Sequence, residues 1–322
     1  MSFEVIAIDG VGEVEAGTDL ADLVLKHVLL QDGDVVVITS KVVSKALGLA
    51  TARPKPEVIA DETDRVVASR GDTIIVRTRH GLTLAAAGVD ASNIAPGAVL
   101  PLPPDPDGVA RDIRAAIRER SDVQVAVVIS DTAGRAWRIG QTDIAIGCAG
   151  LAPFDSFAGR DDGYGNPLVV TFPAVADEVA SAAELATGKL GQRPIAIIRG
   201  LDPRQMLDDD GPGAAALIRD EDGDMFGLGA RDAVLAALAG QPVRGFPDSN
   251  SDEIDLLRLA DPGGLELEGE IGPTPTGFVI EVDTPDQLVV AGMIRQRLIA
   301  LAVAHGMVVP TVDVMMAGVR IL

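Results

Sequence analysis

Val123-Gln124-Val125-Ala126-Val127-Val128-Ile129, followed at once by Ser130-Asp131-Thr132, is the stretch on which the fold turns. The run is almost continuously apolar and does not alternate. It therefore reads as a strand covered on both faces, not as one with a wet side. Such a strand needs helices on each side of its sheet, and the surrounding sequence supplies them. Residues 19–29 are amphipathic, and residues 57–69 read as a second helix after Pro56. Residues 107–120 place Val109, Ile113 and Ile117 on one face. Residues 174–187 are Ala-rich and stop at Gly188, and residues 231–239 stop the same way at Gly240. Partner strands are expected at residues 3–7, 35–39, 73–76, 168–172 and 195–199, with residues 123–130 at the centre. The order is not a regular strand–helix–strand repeat. Neither G-x-G-x-x-G nor G-x-x-x-x-G-K-[ST] occurs, so neither a Rossmann fold nor a P-loop is expected. The mixture of elements leaves the fold class as α/β or α+β.

Working outward, residues 201–229 are rich in Asp, Gly and Pro and read as a mobile acidic loop. A linker at residues 241–252 carries two prolines. A strand at Gly277–Val282 follows, then a helix over residues 285–305 with Thr284 as N-cap and Gly306 as stop, then a Val/Met-rich segment. Residues 1–240 are thus expected to form the main domain and residues 241–322 a small C-terminal α+β module.

The chain has 322 residues, 48 acidic against 27 basic, and a formal charge of −21. Nucleic acid is disfavoured as a partner, because a phosphate backbone calls for clustered Lys and Arg. No uncharged apolar run reaches the roughly 18 residues a membrane span requires. The N-terminus lacks the basic start of a signal peptide. The single cysteine, Cys148, excludes an intrachain disulfide and reads as a small buried apolar residue. A reducing cytoplasm is the expected location.

Three segments carry candidate chemistry. At the end of the central strand, Asp131 offers a hard anionic oxygen and Thr132 a hydroxyl, both suited to Mg2+ or Mn2+. Gly134 allows close backbone approach, and Arg135 and Arg138 offer planar forks for phosphate or carboxylate. The alternative is a strand end with an Asx-turn and surface arginines. Thr39-Ser40-Lys41-Val42-Val43-Ser44-Lys45 is hydroxyl-rich and holds two of the five lysines, a composition that suits phosphates or a capped helix start. Ala87-Gly88-Val89-Asp90-Ala91-Ser92-Asn93 offers a second carboxylate, or an ordinary polar turn. Gly140-Gln141-Thr142-Asp143 and Asp161-Asp162-Gly163-Tyr164-Gly165-Asn166 read as polar turns. His27, His80 and His305 have no ligand spacing, and no zinc or serine-hydrolase motif is present.

These segments in this order, with Arg79-His80-Gly81, Ala176 to Leu185, Gly188-Lys189 and Pro194 to Gly200, resemble the coenzyme F420-0:L-glutamate ligase family, also called gamma-glutamyl ligases. The resemblance covers about residues 3–240. It implies a family-specific mixed-sheet fold and a GTP-dependent ligase that uses Mg2+ or Mn2+ and a monovalent cation such as K+. It further implies F420-0 and L-glutamate as substrates, an acyl-phosphate intermediate and a homodimer. Carried over by position, Asp90, Asp131 and Thr132 are the implied metal ligands. Ser40, Lys45 and Asn93 are implied nucleotide contacts, as is the segment Val11-Gly12-Glu13-Val14, where Gly12 stands in place of the family's usual proline. Lys189 stands where many members have glutamine and is an implied phosphate contact. Asp131, Lys45 and Arg135 are the implied catalytic set. The residues alone leave open an amide ligase for another carboxylate or for ATP, and a nucleotide-binding module without catalysis.

Overall fold

A computed structural model describes residues 2–241, 256–260 and 265–322. The chain divides into two compact units, Met1–Ile218 and Arg219–Leu322.

In the first unit the elements run β1 (Glu4–Ala7), α1 (Leu20–His27), β2 (Val35–Thr39), α2 (Ser40–Ala46), α3 (Lys55–Glu62), β3 (Thr63–Arg70), β4 (Thr73–Thr78) and β5 (Thr83–Ala85). Then come α4 (Pro106–Ser121), β6 (Ala126–Gly134), β7 (Gln141–Ala149), β8 (Arg160–Asp161), β9 (Pro167–Leu168), α5 (Val175–Thr187) and β10 (Ile195–Arg199). The main sheet has the order β1-β10-β2-β6-β7. Only the β2–β6 pair is parallel, so the sheet is mixed as expected.

The absence of alternation in the apolar runs has a direct cause. Val36, Ile38, Val127, Ile129, Ile195 and Ile197 pack on one face, with Val24 of α1 and Ala110, Ile113 and Ile117 of α4. Val35, Val37, Ala126, Val128, Ala196 and Ile198 pack on the other, with Val175, Ala176, Val179, Ala180 and Ala183 of α5. Each fully buried Val or Ile contributes about 1.5–3 kcal/mol. Helix α4 lies so close to β7 that a Cβ at Gly147 would stand 2.4 Å from the Pro106 carbonyl oxygen.

Strand β7 is an edge strand, and α5 closes that edge with side chains. Glu184 accepts from the Asp143 N–H at 3.0 Å, Asp177 accepts from the Ala145 N–H at 2.9 Å, and the Ser181 hydroxyl donates to the Asp143 carbonyl at 2.9 Å. An edge left with unpaired N–H groups would be a template for wrong pairing.

Several expectations need correction. The helix expected at 57–69 ends at Glu62, and residues 63–70 form β3, paired with β4. The Thr63 hydroxyl bonds back to the Ile59 carbonyl at 2.6 Å, and β-branched Thr63, Val66 and Val67 favour extended backbone thereafter. The strand expected at 168–172 is confined to β9, and Val169 and Val170 are exposed. Strand β6 starts later than expected but runs on to Gly134, and residues 141–143 open β7 instead of forming a turn. The first part of the acidic stretch is anchored. Arg114, buried on α4, bonds to Asp210, to the carbonyls of Leu207 and Asp208, and to that of Val125. Buried Asp107 accepts from the N–H groups of Cys148, Ala214 and Ala215. Cys148 is buried, as read.

The second unit holds α6 (Ala230–Leu238), α7 (Leu256–Ala260), β11 (Gly269–Thr274), β12 (Gly277–Val282), α8 (Gln287–Ala304), β13 (Thr311–Met316) and β14 (Val319–Arg320). Its sheet has the order β11-β12-β13-β14. Helix α6 belongs here because the Gln296 side chain of α8 donates to the Leu238 carbonyl, which sets the boundary before the expected residue 241. The expected linker 241–252 lies, after Gln241, outside the described residues. The N-cap of α8 is Asp286, not Thr284, whose carbonyl instead accepts from the Gln287 N–H. By length and composition α8 passes for a membrane span. It carries Arg295 and Arg297, however, and buries Ala291, Ile294, Leu298, Ala302 and Val303 against its own sheet.

Candidate active site

The parallel β2–β6 pair fixes the centre of the site. Thr39 pairs with Ser130, so the chain leaves β2 for α2 beside the strand that carries Asp131. The Ser40 hydroxyl donates to Asp131 Oδ1 at 2.8 Å across 91 residues of sequence. Between Ile129 and Ser130 the β7 register slips by one residue, with Ile146 as the extra residue, a bulge of the kind that re-aims side chains at sites.

Beyond the bulge, β6 sends alternate side chains to opposite faces. Asp131 meets Ser40 on one face. Ser130 and Thr132 both turn to Asp143 on the other, with the Ser130 hydroxyl donating to Oδ2 at 3.2 Å and the Thr132 hydroxyl to Oδ1 at 2.7 Å. Lys189 Nζ completes that second group, 2.7 Å from Thr132 Oγ1, 3.2 Å from Asp143 Oδ1 and 2.5 Å from Glu184 Oε1. Burial works against the Lys189 ammonium, but the Glu184 and Asp143 carboxylates hold its pKa above the usual lysine range.

Asp131 keeps part of its surface open to solvent, yet it sits deep enough that burial pushes its carboxyl up from the usual 3.8 to about 6. The Ser40 hydrogen bond opposes that push, whereas the negative charges of Asp143 and Asp90 add to it. Asp90 goes the other way. Burial raises it, but the Lys41 ammonium at 2.6 Å and the Ser92 N–H at 2.7 Å hold it below the usual carboxylate range.

The structure therefore gathers Ser40, Lys41, Asp90, Ser92 and Asp131 around one face of the β6 end. Lys45 lies on α2 with its ammonium on Glu13 at 2.5 Å, which ties the 11–14 segment to this helix. Val11 and Val14 are buried, and Gly12 has φ +74°, a backbone closed to proline. Gly12 is thus the residue this turn requires. Asn93 is exposed with φ +52°. Arg135 is not brought to Asp131. It lies at the exposed tip of the β6–β7 hairpin, bonded to the Ile139 carbonyl, about 13 Å along an extended strand from Asp131.

Sequence reading placed Lys41 only within a phosphate-suited segment and Asp143 only within a polar turn, and gave Glu184 no role of its own. A signal for α5 existed. Asp177, Ser181 and Glu184 form an i, i+4, i+7 polar stripe on an otherwise Ala-rich helix. Asp143 carried no such signal, because its partners come from other strands and helices.

The donor set is oxygen throughout, the chemistry that Mg2+ or Mn2+ requires. Asp131 feels the charges of Asp90 and Asp143, a repulsion that a cation would relieve. Among the described residues no group of three or more His, Cys, Asp or Glu side chains could hold a metal ion. Asp90 and Asp131 offer two carboxylates, which suits an ion that fills the rest of its shell with water and phosphate oxygens, as Mg2+ usually does.

The model of the F420-0:gamma-glutamyl ligase family matches residues 10–200. The chain is 38% identical over 252 residues to the coenzyme F420:L-glutamate ligase of Methanothermobacter thermautotrophicus, covering 70% of this chain and 99% of that protein. It is 39% identical over 235 residues to the like-named protein of Methanopyrus kandleri, covering 66% and 93%. It is 35% identical over 255 residues to that of Haloarcula marismortui, covering 71% and 97%. These likenesses place the chain among the ligases that form amide bonds. It belongs to the F420-0:gamma-glutamyl ligase family.

Proposed function

We propose that this chain joins L-glutamate to coenzyme F420-0 through a γ-amide bond in F420 biosynthesis, driven by GTP. The observation that carries the reading is the family match, which spans every residue of the site from the 11–14 segment to Lys189.

Condensing a carboxylate with an amine in water is uphill, so the carboxylate must be activated. In the proposed sequence the terminal carboxylate of F420-0 attacks the γ-phosphorus of GTP, and GDP leaves. The glutamate amine then attacks the acyl carbon. Inorganic phosphate leaves with the bonding pair, and the nitrogen loses its proton. Ser40, Lys45, Asn93 and the 11–14 segment would hold the nucleotide. The ammonium of Lys45 would exchange Glu13, which is largely exposed, for phosphate oxygens. Asp90 and Asp131 would hold Mg2+ or Mn2+, whose chemistry when bound is to neutralise charge on the phosphate oxygens. Thr132, on the opposite face, would meet a cation through its own hydroxyl. Arg135 would reach substrate only with its hairpin tip.

A homodimer is part of the reading. It is supported by exposed apolar side chains on the hairpin tip (Trp137, Ile139), around β8 and β9 (Tyr164, Val169, Val170) and near the end of α5 (Leu185, Leu190). Exposed apolar side chains mark association surfaces where they adjoin one another. A cytoplasmic location accords with the single buried thiol.

Mass spectrometry of products from protein incubated with F420-0, glutamate, Mn2+ and either GTP or ATP tests the reading. The expected product gains one or more glutamates with GTP and is absent with ATP. No glutamylated product with either nucleotide would sink the proposal.

A further inference from the structure

Lys189 follows the Gly188 cap of α5, whose φ of +61° turns the chain back over the β6–β7 pair. An ammonium has three N–H donors and no acceptor. Three oxygens from three elements meet them, namely Glu184 Oε1, Thr132 Oγ1 and Asp143 Oδ1.

Each of these oxygens belongs to a group held in place without the lysine. The Thr132 hydroxyl donates its proton to Asp143, which directs its lone pairs outward. The second oxygen of Asp143 accepts from Ser130, and that of Glu184 accepts from the Asp143 N–H. The lysine side chain, in contrast, is 56% exposed, so it contributes little packing to the cage. The cage is built from the sheet and α5, carries two carboxylates and one hydroxyl, and is filled by a tethered +1 charge.

We propose that the ε-ammonium of Lys189 serves as a built-in monovalent cation, and that the oxygen cage of Thr132, Asp143 and Glu184 is a monovalent-cation site in its own right. Lys189 is then a positioning residue. It compensates the Asp143 and Glu184 carboxylates beside Asp131, instead of spending its donors on nucleotide phosphate. Removing the ammonium opens the cage to a free K+ or NH4+. Filling the space with a neutral side chain of similar length closes it again. The catalytic half of this inference rests on the ligase reading, but the binding half does not.

The test compares wild type, Lys189→Ala and Lys189→Met in KCl, NH4Cl and tetramethylammonium chloride at equal ionic strength. Thermal melting reads binding directly. Lys189→Ala is expected to gain about 2–4 °C in Tm in 100 mM K+ or NH4+ over tetramethylammonium, with wild type and Lys189→Met unmoved. In ligase assays Lys189→Ala is expected to lose at least about tenfold in rate in tetramethylammonium and to recover most of it in K+ or NH4+, with no recovery for Lys189→Met. Metal-free GDP affinity is expected to stay within about twofold of wild type in both variants, as it would not if the lysine held phosphate. Equal Tm for Lys189→Ala in all three salts overturns the proposal, as does equal rescue of the Met variant or a tenfold loss of GDP affinity. If the wild type shows no ligase activity, the functional reading fails while the melting arm still decides the cation site.

Discussion

Replacing Asp131 with Asn is expected to stabilise the metal-free protein at neutral pH while abolishing its activity. The folded carboxyl holds its proton up to about pH 6, against the usual 3.8, because burial and the charges of Asp143 and Asp90 penalise ionisation. Between those two values the unfolded chain has already lost the proton that the folded chain keeps. Stability therefore falls as pH rises through that window and is flat above it. At about 1.36 kcal/mol per pH unit the full penalty is about 3 kcal/mol. Because Asp131 keeps some contact with solvent, about 1.5–3 kcal/mol is expected. Asparagine removes the charge, and its amide oxygen can still accept from Ser40. Urea denaturation of wild type and Asp131→Asn in EDTA, from pH 4 to 7.5, isolates the difference between them. It should grow from near zero at pH 4 to its plateau near pH 7, worth about 3–12 °C in Tm for a unit of this size. Product formation with GTP and Mn2+ should fall at least about a hundredfold. A difference that does not change with pH, or a variant less stable than wild type at pH 7, would refute the account of Asp131 as a carboxylate held under strain.

Arg114→Met should cost about 2–4 kcal/mol in urea denaturation, since it strips the partners from the carbonyls of Val125, Leu207 and Asp208 while Asp210 regains water; a loss below 1 kcal/mol would mean the 207–210 segment does not depend on it. Lys45→Ala should weaken GTP binding at least about tenfold by isothermal titration, and Glu13→Gln should tighten it severalfold by freeing the ammonium; unchanged affinity in both would refute the proposed contact of Lys45 with nucleotide. Gly147→Ala should destabilise by about 1–3 kcal/mol or more, because its Cβ would strike the Pro106 carbonyl at 2.4 Å, with the shift read by calorimetry.

The layered core was legible because its signal is local. Val35 to Ile38, Val127 to Ile129 and Ile195 to Ile198 announce burial on both faces by failing to alternate, and each then packs on both faces. The helix at 57–69 misled because its apolar residues keep a helical spacing into β3. What ends the helix is Thr63 bonding back to Ile59, and what recruits the rest is pairing with β4, a non-local event. Residues 141–143 looked like a turn for the same reason. Polar Gln141, Thr142 and Asp143 sit in a strand because β6 pairs with them and α5 satisfies the outer edge. At the site, Asp131, Asp90 and Ser40 were readable as oxygen donors near element ends. That Lys41 would take Asp90, and that Thr132 would face away from Asp131, depends on the turn at Ser92 and on β6 running three residues past Asp131. Neither is written in composition or spacing.

The alternation of β6 past its bulge explains why this site has two electrostatic characters within two residues of chain. On the Asp131 face the protein leaves a buried carboxyl undercompensated, which favours a cation brought from outside. On the Thr132 face it supplies the compensation itself, through Lys189. Glu184 links the two roles of α5, since one of its oxygens closes the open edge of β7 and the other grips the ammonium. The same contact that completes the sheet therefore sets the charge beside the site. Loss of the Glu184 carboxylate would unsettle both at once, whereas loss of the Lys189 ammonium alone leaves the edge closed, because the bonds of Asp177, Ser181 and Glu184 to β7 do not pass through it.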